Sequence, residues 1–260
     1  MPVTDSFDSR ITRRRFGLSA ASALASVVFG EACLVSTQTT ADSDGRLTAR
    51  PRDGVATALK SGPLGLGQGG RDGIIQMPSA EPSGKVPLLV FLHGASQNGA
   101  GMLRRIGPAA DQLGIAILAP DSRGSTWDAI RDGFGDDVTF LNRALEFVFA
   151  RLAVDPARVA IGGFSDGASY ALSLGLANGD LFPRVVACSP GFVIPAPVQG
   201  HARFFISHGT DDQILPIDQT SRLIVPRLRS MGYDVTFRVF AGRHEMPPDV
   251  LTEGLKWMAG

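Results

Sequence analysis

The sequence predicts an α/β fold with a mostly parallel central sheet and helices on both faces. Short apolar runs of strand length alternate with longer segments whose apolar residues recur at helical spacing. The alternation runs from Val86 to the end of the chain, and no internal repeat interrupts it. The chain has 260 residues, of which 44% are hydrophobic, so one domain with a sizeable core is the simplest organisation.

The predicted elements follow one another in a regular order. Strands are expected at 71–78, 86–94, 115–120, 158–164, 184–190, 202–209 and 234–240, and helices at 100–114, 136–154, 165–177, 217–232 and 247–258. The helix over 217–232 should kink or break near Pro226. Three glycines upstream, Gly65, Gly67 and Gly70, match the spacing of a dinucleotide-binding loop. A strand rather than a helix follows them, so we reject a nucleotide cofactor.

Composition excludes several classes of partner. Lys and Arg together number 25, as do Asp and Glu, so the formal net charge is zero. This argues against a nucleic-acid or anionic-membrane partner that binds through bulk charge. Two cysteines cannot form a disulfide framework, and Cys188 lies in a predicted buried strand.

The first 35 residues resemble an export signal. Thr12–Leu18 carries an arginine pair followed by Phe and Leu, as in a twin-arginine signal, and the apolar run after it is shorter than the about 20 residues that span a bilayer. We therefore expect the twin-arginine export machinery as a partner of the precursor, a periplasmic or secreted product, and no transmembrane span in the mature chain. A basic amphipathic helix is the alternative. Cys33 is a candidate lipid anchor, although Gly30–Ala32 departs from the usual lipobox.

Residues 36–60 are polar and predict a tether, and residues 61–260 predict the folded domain. Within that domain, Gly163–Gly167 reads G-x-S-x-G between a predicted strand and a predicted helix. This is the context of a nucleophile elbow, where a strained turn exposes Ser165 and leaves room only for glycine on either side. A glycine-rich turn without catalytic function is the alternative.

A serine nucleophile needs a base and an acid, which follow it along the chain in this architecture. The four histidines are His93, His201, His208 and His244, and only His244 lies beyond the last predicted strand. His244 is therefore the predicted base. The acid should follow the strand over 202–209, where Asp211 and Asp212 are both available.

The oxyanion of a tetrahedral intermediate needs backbone donors. One is the amide of Asp166, directly after the nucleophile. The second should come from the turn after the strand over 86–94, with Ala95 as the predicted donor and Ser96 as the alternative. His93 is expected to be structural.

Five segments carry a resemblance to a known family: FLHGASQN at 91–98, LAPDSRGSTWD at 118–128, DPARVAIGGFSDGASYAL at 155–172, SHGTDDQILP at 207–216 and FAGRHEMP at 240–247. From about Gly62 onward the chain resembles α/β-hydrolases of the phospholipase/carboxylesterase group, which includes acyl-protein thioesterases. Polyhydroxybutyrate-depolymerase-like and feruloyl-esterase-like enzymes are neighbours of that group. The resemblance implies that Asp212 is the acid, with Leu215 where the group has Val, and it places the oxyanion amides on Ala95 and Asp166. Many relatives have Gln where this chain has Asp166.

These observations predict a serine esterase that hydrolyses a small-molecule carboxylic ester through an acyl-enzyme. Only 193–201 separates two predicted elements near the site, so we expect no large lid domain, which favours small or accessible acyl groups. Trp127 and Phe192 are candidate substrate-binding residues, with ordinary packing as the alternative. A polyester depolymerase, feruloyl esterase or peptidase would use the same triad, and a non-catalytic binding protein is the alternative of another class. No metal or cofactor site is predicted.

Overall fold

The computed structural model describes residues 44–67 and 69–260. It contains an eight-stranded sheet in the order β1-β2-β4-β3-β5-β6-β7-β8. The strands are β1 (Gly62–Pro63), β2 (Gly73–Gln76), β3 (Val86–Leu92), β4 (Ala116–Pro120), β5 (Val154–Phe164), β6 (Arg184–Cys188), β7 (Arg203–Gly209) and β8 (Val235–Phe240). From β4 to β8 all neighbours are parallel, whereas β1 and β2 add an antiparallel edge. The predicted α/β fold with a mostly parallel sheet is confirmed.

The described residues also form six α-helices, of which the last follows β8: α1 (Gly99–Gln112), α2 (Asp128–Arg131), α3 (Asp136–Phe149), α4 (Asp166–Ala177), α5 (Ser221–Ser230) and α6 (Pro248–Ala259). All seven residues of β3 are buried. Leu88 and Val90 point into the core shared with α3, α4 and α5, whereas Leu89 and Phe91 point into the core shared with α1 and α6. Helices cover both faces, which explains why this strand is apolar throughout rather than alternating.

The described part of the predicted tether is attached to the domain instead of being free. Leu47 is fully buried, and its amide donates to the side chain of Asn178 over 2.8 Å. The guanidinium groups of Arg46 and Arg50 both pair with the carboxylate of Asp180. The segment is polar on average, so its sequence predicted a tether. Two of its apolar side chains, Leu47 and Ala49, are nevertheless buried and hold residues 44–50 against the core. The predicted signal at 1–35 and Cys33 lie outside the described residues.

The helix after β7 does not break at Pro226. A short 3₁₀ turn over Ile217–Gln219 precedes α5, the boundary falls at Thr220, and Pro226 lies inside α5. Pro226 and Arg222, whose carbonyl loses its helical donor, are both exposed. Water can satisfy that carbonyl, so the proline is tolerated where a buried one would break the helix.

Candidate active site

The turn between β5 and α4 has the strained backbone of a nucleophile elbow. Ser165 has φ 58° and ψ −120°, a conformation that side chains rarely adopt, and its amide donates to the carbonyl of Cys188 over 3.0 Å. A Cβ on Gly163 would lie 2.4 Å from the backbone of Gly167, and one on Gly167 would lie 2.3 Å from the carbonyl oxygen of Leu92. The two flanking glycines are therefore required by the close approach of backbone to backbone.

Three predicted residues meet at the carboxyl edge of the sheet. His244 lies in the loop between β8 and α6, and its Nε2 is 2.8 Å from Oγ of Ser165. Its Nδ1 is 2.7 Å from Oδ2 of Asp212, which follows β7. With the proton on Nδ1 donated to Asp212, Nε2 is left to accept the serine hydroxyl proton. This is the arrangement that a serine nucleophile requires.

Asp212 is buried, with 4% of its surface exposed. Its Oδ1 accepts hydrogen bonds from the amides of Ile214 and Leu215 over 2.9 and 2.8 Å. Burial by itself raises the pKa of Asp212, but the hydrogen bonds from Leu215 and His244 outweigh it and the pKa lies below its usual value. The neighbouring Asp211 is exposed, and its amide donates to the carbonyl of Gly242. Of the two aspartates, the geometry favours Asp212.

His208 is a site residue that sequence reasoning did not identify. Its ring is fully buried, and its Nε2 lies 3.2 Å from Oδ2 of Asp212 and 2.8 Å from the carbonyl oxygen of Leu215. Its Nδ1 lies 2.7 Å from Oγ of Ser221 at the start of α5. Both contacts of Nε2 are acceptors, so Nε2 carries the proton and Ser221 donates to Nδ1. Burial lowers the pKa of His208, consistent with this neutral form.

The turn with Ala95 and the start of α4 with Asp166 both lie next to Ser165. A Cβ on Gly94 would be 3.3 Å from Cβ of Ser165, so the turn that contains Ala95 runs beside the nucleophile. Within the described chain, the amides of Ala95 and Asp166 donate to no other group, whereas the amide of Ser96 donates to Ser125 over 2.7 Å. The alternative donor Ser96 is thus already engaged, and Ala95 is available.

Trp127 does not form a wall for substrate, contrary to one of the two interpretations of its sequence. Its side chain is fully buried, donates from Nε1 to the carbonyl of His93 over 2.8 Å, and stacks on Tyr170 at 5.3 Å. The indole fills the core, and its hydrogen bond to the carbonyl of His93 holds the end of β3 in place. Phe192 is partly buried in the segment after β6, and its role as a substrate-binding residue stays a prediction.

His93 joins two loops at the carboxyl edge of the sheet. It is fully buried, its Nδ1 lies 2.7 Å from the carbonyl of Gly94, and its Nε2 accepts from the amide of Ser122 over 2.9 Å. Burial lowers the pKa of His93, so the ring stays neutral and can accept at Nε2. It therefore holds the turn of Ala95 against the loop after β4.

Asp166 is partly buried, and its Oδ2 accepts from the hydroxyl of Thr126 over 2.6 Å. This contact anchors the first residue of α4, whose amide faces the nucleophile. Over residues 44–67 and 69–260, no group of three or more His, Cys, Asp or Glu side chains is arranged to hold a metal ion. No helix in the same residues is long and apolar enough to cross a membrane.

The strand–serine–helix turn, the sheet order and the three converging side chains define the α/β-hydrolase class. Solved structures of several esterases are similar to this chain. Esterase PE8 is 20% identical, with 77% of this chain and 98% of that chain covered and a TM-score of 0.59. A Bacillus cereus carboxylesterase is 20% identical, with 74% and 94% covered and a TM-score of 0.55. A ferulic acid esterase is 19% identical, with 73% and 92% covered and a TM-score of 0.58. At these identities the likeness shows the fold.

The family is shown by the sequence itself. The profile of the phospholipase/carboxylesterase family matches residues 129–258, which is half of the chain and includes Ser165, Asp212 and His244. This chain therefore belongs to the phospholipase/carboxylesterase family. Acyl-protein thioesterase 1 of Gibberella zeae is 26% identical over 108 residues, which cover 38% of this chain and 46% of that protein. The matched region thus spans less than half the length of that curated relative.

Proposed function

We propose that this protein is an exported serine hydrolase that cleaves carboxylic esters through Ser165, His244 and Asp212. The observation that carries the proposal is the unbroken line of contacts from Asp212 through both ring nitrogens of His244 to Oγ of Ser165, at 2.7 and 2.8 Å. Backbone strain of the kind found at Ser165 is concentrated at functional sites, and a hydrogen-bonded cluster with a purely structural role would not require it.

In the proposed reaction, Oγ of Ser165 attacks the ester carbonyl carbon as its proton passes to Nε2 of His244. The carbonyl oxygen becomes an oxyanion, which the amides of Ala95 and Asp166 stabilise. The bond to the alcohol oxygen then breaks, and that oxygen takes the proton from His244. Water, deprotonated by His244, attacks the acyl-enzyme in the same way and releases the acid. Asp212 keeps the imidazole in the required tautomer and stabilises its charged form.

The surroundings of Ser165 favour small or accessible substrates. Between β6 and β7 the chain passes through 189–202 without a helix or strand, apart from one bridge between Gly179 and Gly200. A segment of this length provides no lid to enclose a long acyl chain. Thioesters are a second candidate, because the relative from Gibberella zeae is a thioesterase by name.

The test is hydrolysis of 4-nitrophenyl acetate and butyrate by wild type and by Ser165→Ala. We expect the variant to lose turnover while its thermal midpoint stays close to that of the wild type. Ser230→Ala, an exposed serine at the end of α5, is the matched control and should keep full activity. Undiminished turnover by Ser165→Ala would mean that another group performs the chemistry.

Export is a separate part of the proposal and rests on the Thr12–Leu18 segment. Its test is fractionation of cells that express the full chain or an Arg13→Lys/Arg14→Lys double variant. The wild type should be found outside the cytoplasm, and the double variant should accumulate inside it. Equal distribution of the two proteins would argue against the twin-arginine route.

A further inference from the structure

A cavity of about 410 Å³ opens beside the turn that contains Ala95, at the beginning of α1. We call it the arginine cavity, and it is lined by Gln97, Asn98, Gly101, Met102, Arg104 and Arg105. Gln97 belongs to the same turn as the predicted oxyanion donor, because its amide donates to the carbonyl of Gly94 over 3.2 Å. The cavity is therefore next to the reacting centre and not a remote surface feature.

The charge of this cavity is positive and uncompensated. No acidic side chain lines it. Within the described residues, neither Arg104 nor Arg105 forms an ion pair, although many other arginines of the chain do, such as Arg46 with Asp180 and Arg158 with Asp155. Asp121, a carboxylate close to the start of α1, already accepts from the amides of Gly99 and Asp72. The two guanidinium groups are thus available to an anionic ligand.

The contacts of Phe164 place Arg105 on the side of the base. The guanidinium of Arg105 lies 5.5 Å from the centre of the Phe164 ring, and that ring lies 4.8 Å from the ring of His244. In ester hydrolysis the base returns its proton to the alcohol oxygen, so groups beside the base face the alcohol part of the substrate.

We propose that Arg104 and Arg105 bind a carboxylate carried by the alcohol part of the ester. The proposal rests on the proposed function, since it assigns the substrate class of the same site. A planar carboxylate suits the fork of a guanidinium group, and the positive charge of the two arginines selects an acidic alcohol over a neutral one.

The test compares 4-acetoxybenzoate with its methyl ester, which has the same acyl group and the same aryl frame but no charge. We expect the ratio of kcat/KM for acid over methyl ester to fall about 3- to 10-fold in Arg104→Gln and in Arg105→Gln, and further in the double variant. The same ratio should fall in wild type on adding about 0.5 M sodium chloride, because salt screens exposed charges. Taking a ratio within each variant removes any effect of folding.

Arg151→Gln is the matched control, because Arg151 also lies over a phenylalanine ring, that of Phe147, but at the end of α3. Its ratio should equal that of wild type. A second substrate pair, mono-4-nitrophenyl glutarate and 4-nitrophenyl pentanoate, carries the charge on the acyl side, and its ratio should not depend on the two arginines.

Ratios unchanged in all arginine variants, with both esters hydrolysed, would overturn the proposal and leave the esterase function standing. Dependence on the arginines for the glutarate pair alone would overturn the assignment to the alcohol side. Absence of hydrolysis of every ester by the wild type, with no label on Ser165 from a fluorophosphonate, would overturn the proposed function and this inference together.

Discussion

Replacing Asp212 with Asn should abolish most activity without disturbing the fold. The amides of Ile214 and Leu215 donate to one oxygen of Asp212, so the single oxygen of Asn must stay on their side. The amide NH₂ then faces Nδ1 of His244 and Nε2 of His208. His244 can meet a donor there only with Nδ1 unprotonated, which moves its proton to Nε2.

With the proton on Nε2, His244 presents a donor to Oγ of Ser165 and cannot accept the serine proton. In a Ser-His-Asp protease the same change lowers kcat about 10⁴-fold, or about 5.5 kcal/mol of transition-state stabilisation. We expect a loss of that order in initial rates of 4-nitrophenyl acetate hydrolysis, with a circular dichroism spectrum like that of wild type.

Asp211→Asn is the matched control, because Asp211 is the exposed neighbour and was the alternative acid in the sequence. It should retain activity within about twofold of wild type. A rate above about a tenth of wild type in Asp212→Asn, or a larger loss in Asp211→Asn, would contradict the role assigned to Asp212.

Three further predictions concern residues around the triad. His208→Ala should lower kcat about tenfold with little change in KM, because Asp212 loses one hydrogen-bond donor. His208→Gln should recover part of the loss in kcat. Equal kcat in His208→Ala and wild type would contradict this role of His208. Trp127→Ala should lower the free energy of unfolding in urea by about 3–5 kcal/mol, whereas a changed KM with unchanged stability would restore its role as a substrate wall. Burial, and after it the charge of Asp128, raises the pKa of Asp137 to about 6. The folded protein therefore binds a proton at Asp137 more tightly than the unfolded chain does. The stability contributed by Asp137 is present at low pH and is lost as pH rises through about 6. The free energy of unfolding of wild type should therefore rise by about 1 kcal/mol relative to that of Asp137→Asn when the pH is lowered from about 7 to about 5. A difference in free energy of unfolding that does not depend on pH would contradict the burial of this carboxyl group.

The strands and the serine turn could be predicted because their signals are local. Buried parallel strands such as β3 are apolar throughout, and the Gly163–Gly167 turn has a backbone requirement that only certain residues meet. The order of Ser165, an aspartate and His244 along the chain then follows from the topology of the sheet. The residues alone did not decide whether Asp211 or Asp212 is the acid, and the resemblance to a known family favoured Asp212.

What could not be predicted depends on contacts between distant segments. The contact of Leu47 with Asn178 joins residues that are 131 positions apart, and no pattern in the polar segment around Leu47 predicts it. The position of Trp127 follows from the stacking of its ring on Tyr170 in α4, which the loop sequence around it does not show. His208 ends a strand as many histidines do, and only its contacts with Ser221 and Asp212 reveal a role in the site.

The most direct measurement is mass-spectrometric mapping of a fluorophosphonate label on the full chain. We expect a single modified peptide with the phosphonyl group on Ser165, labelling that is much slower in His244→Ala, and none in Ser165→Ala. A label on a different residue, or a wild-type protein that hydrolyses esters while Ser165 stays unmodified, would contradict it.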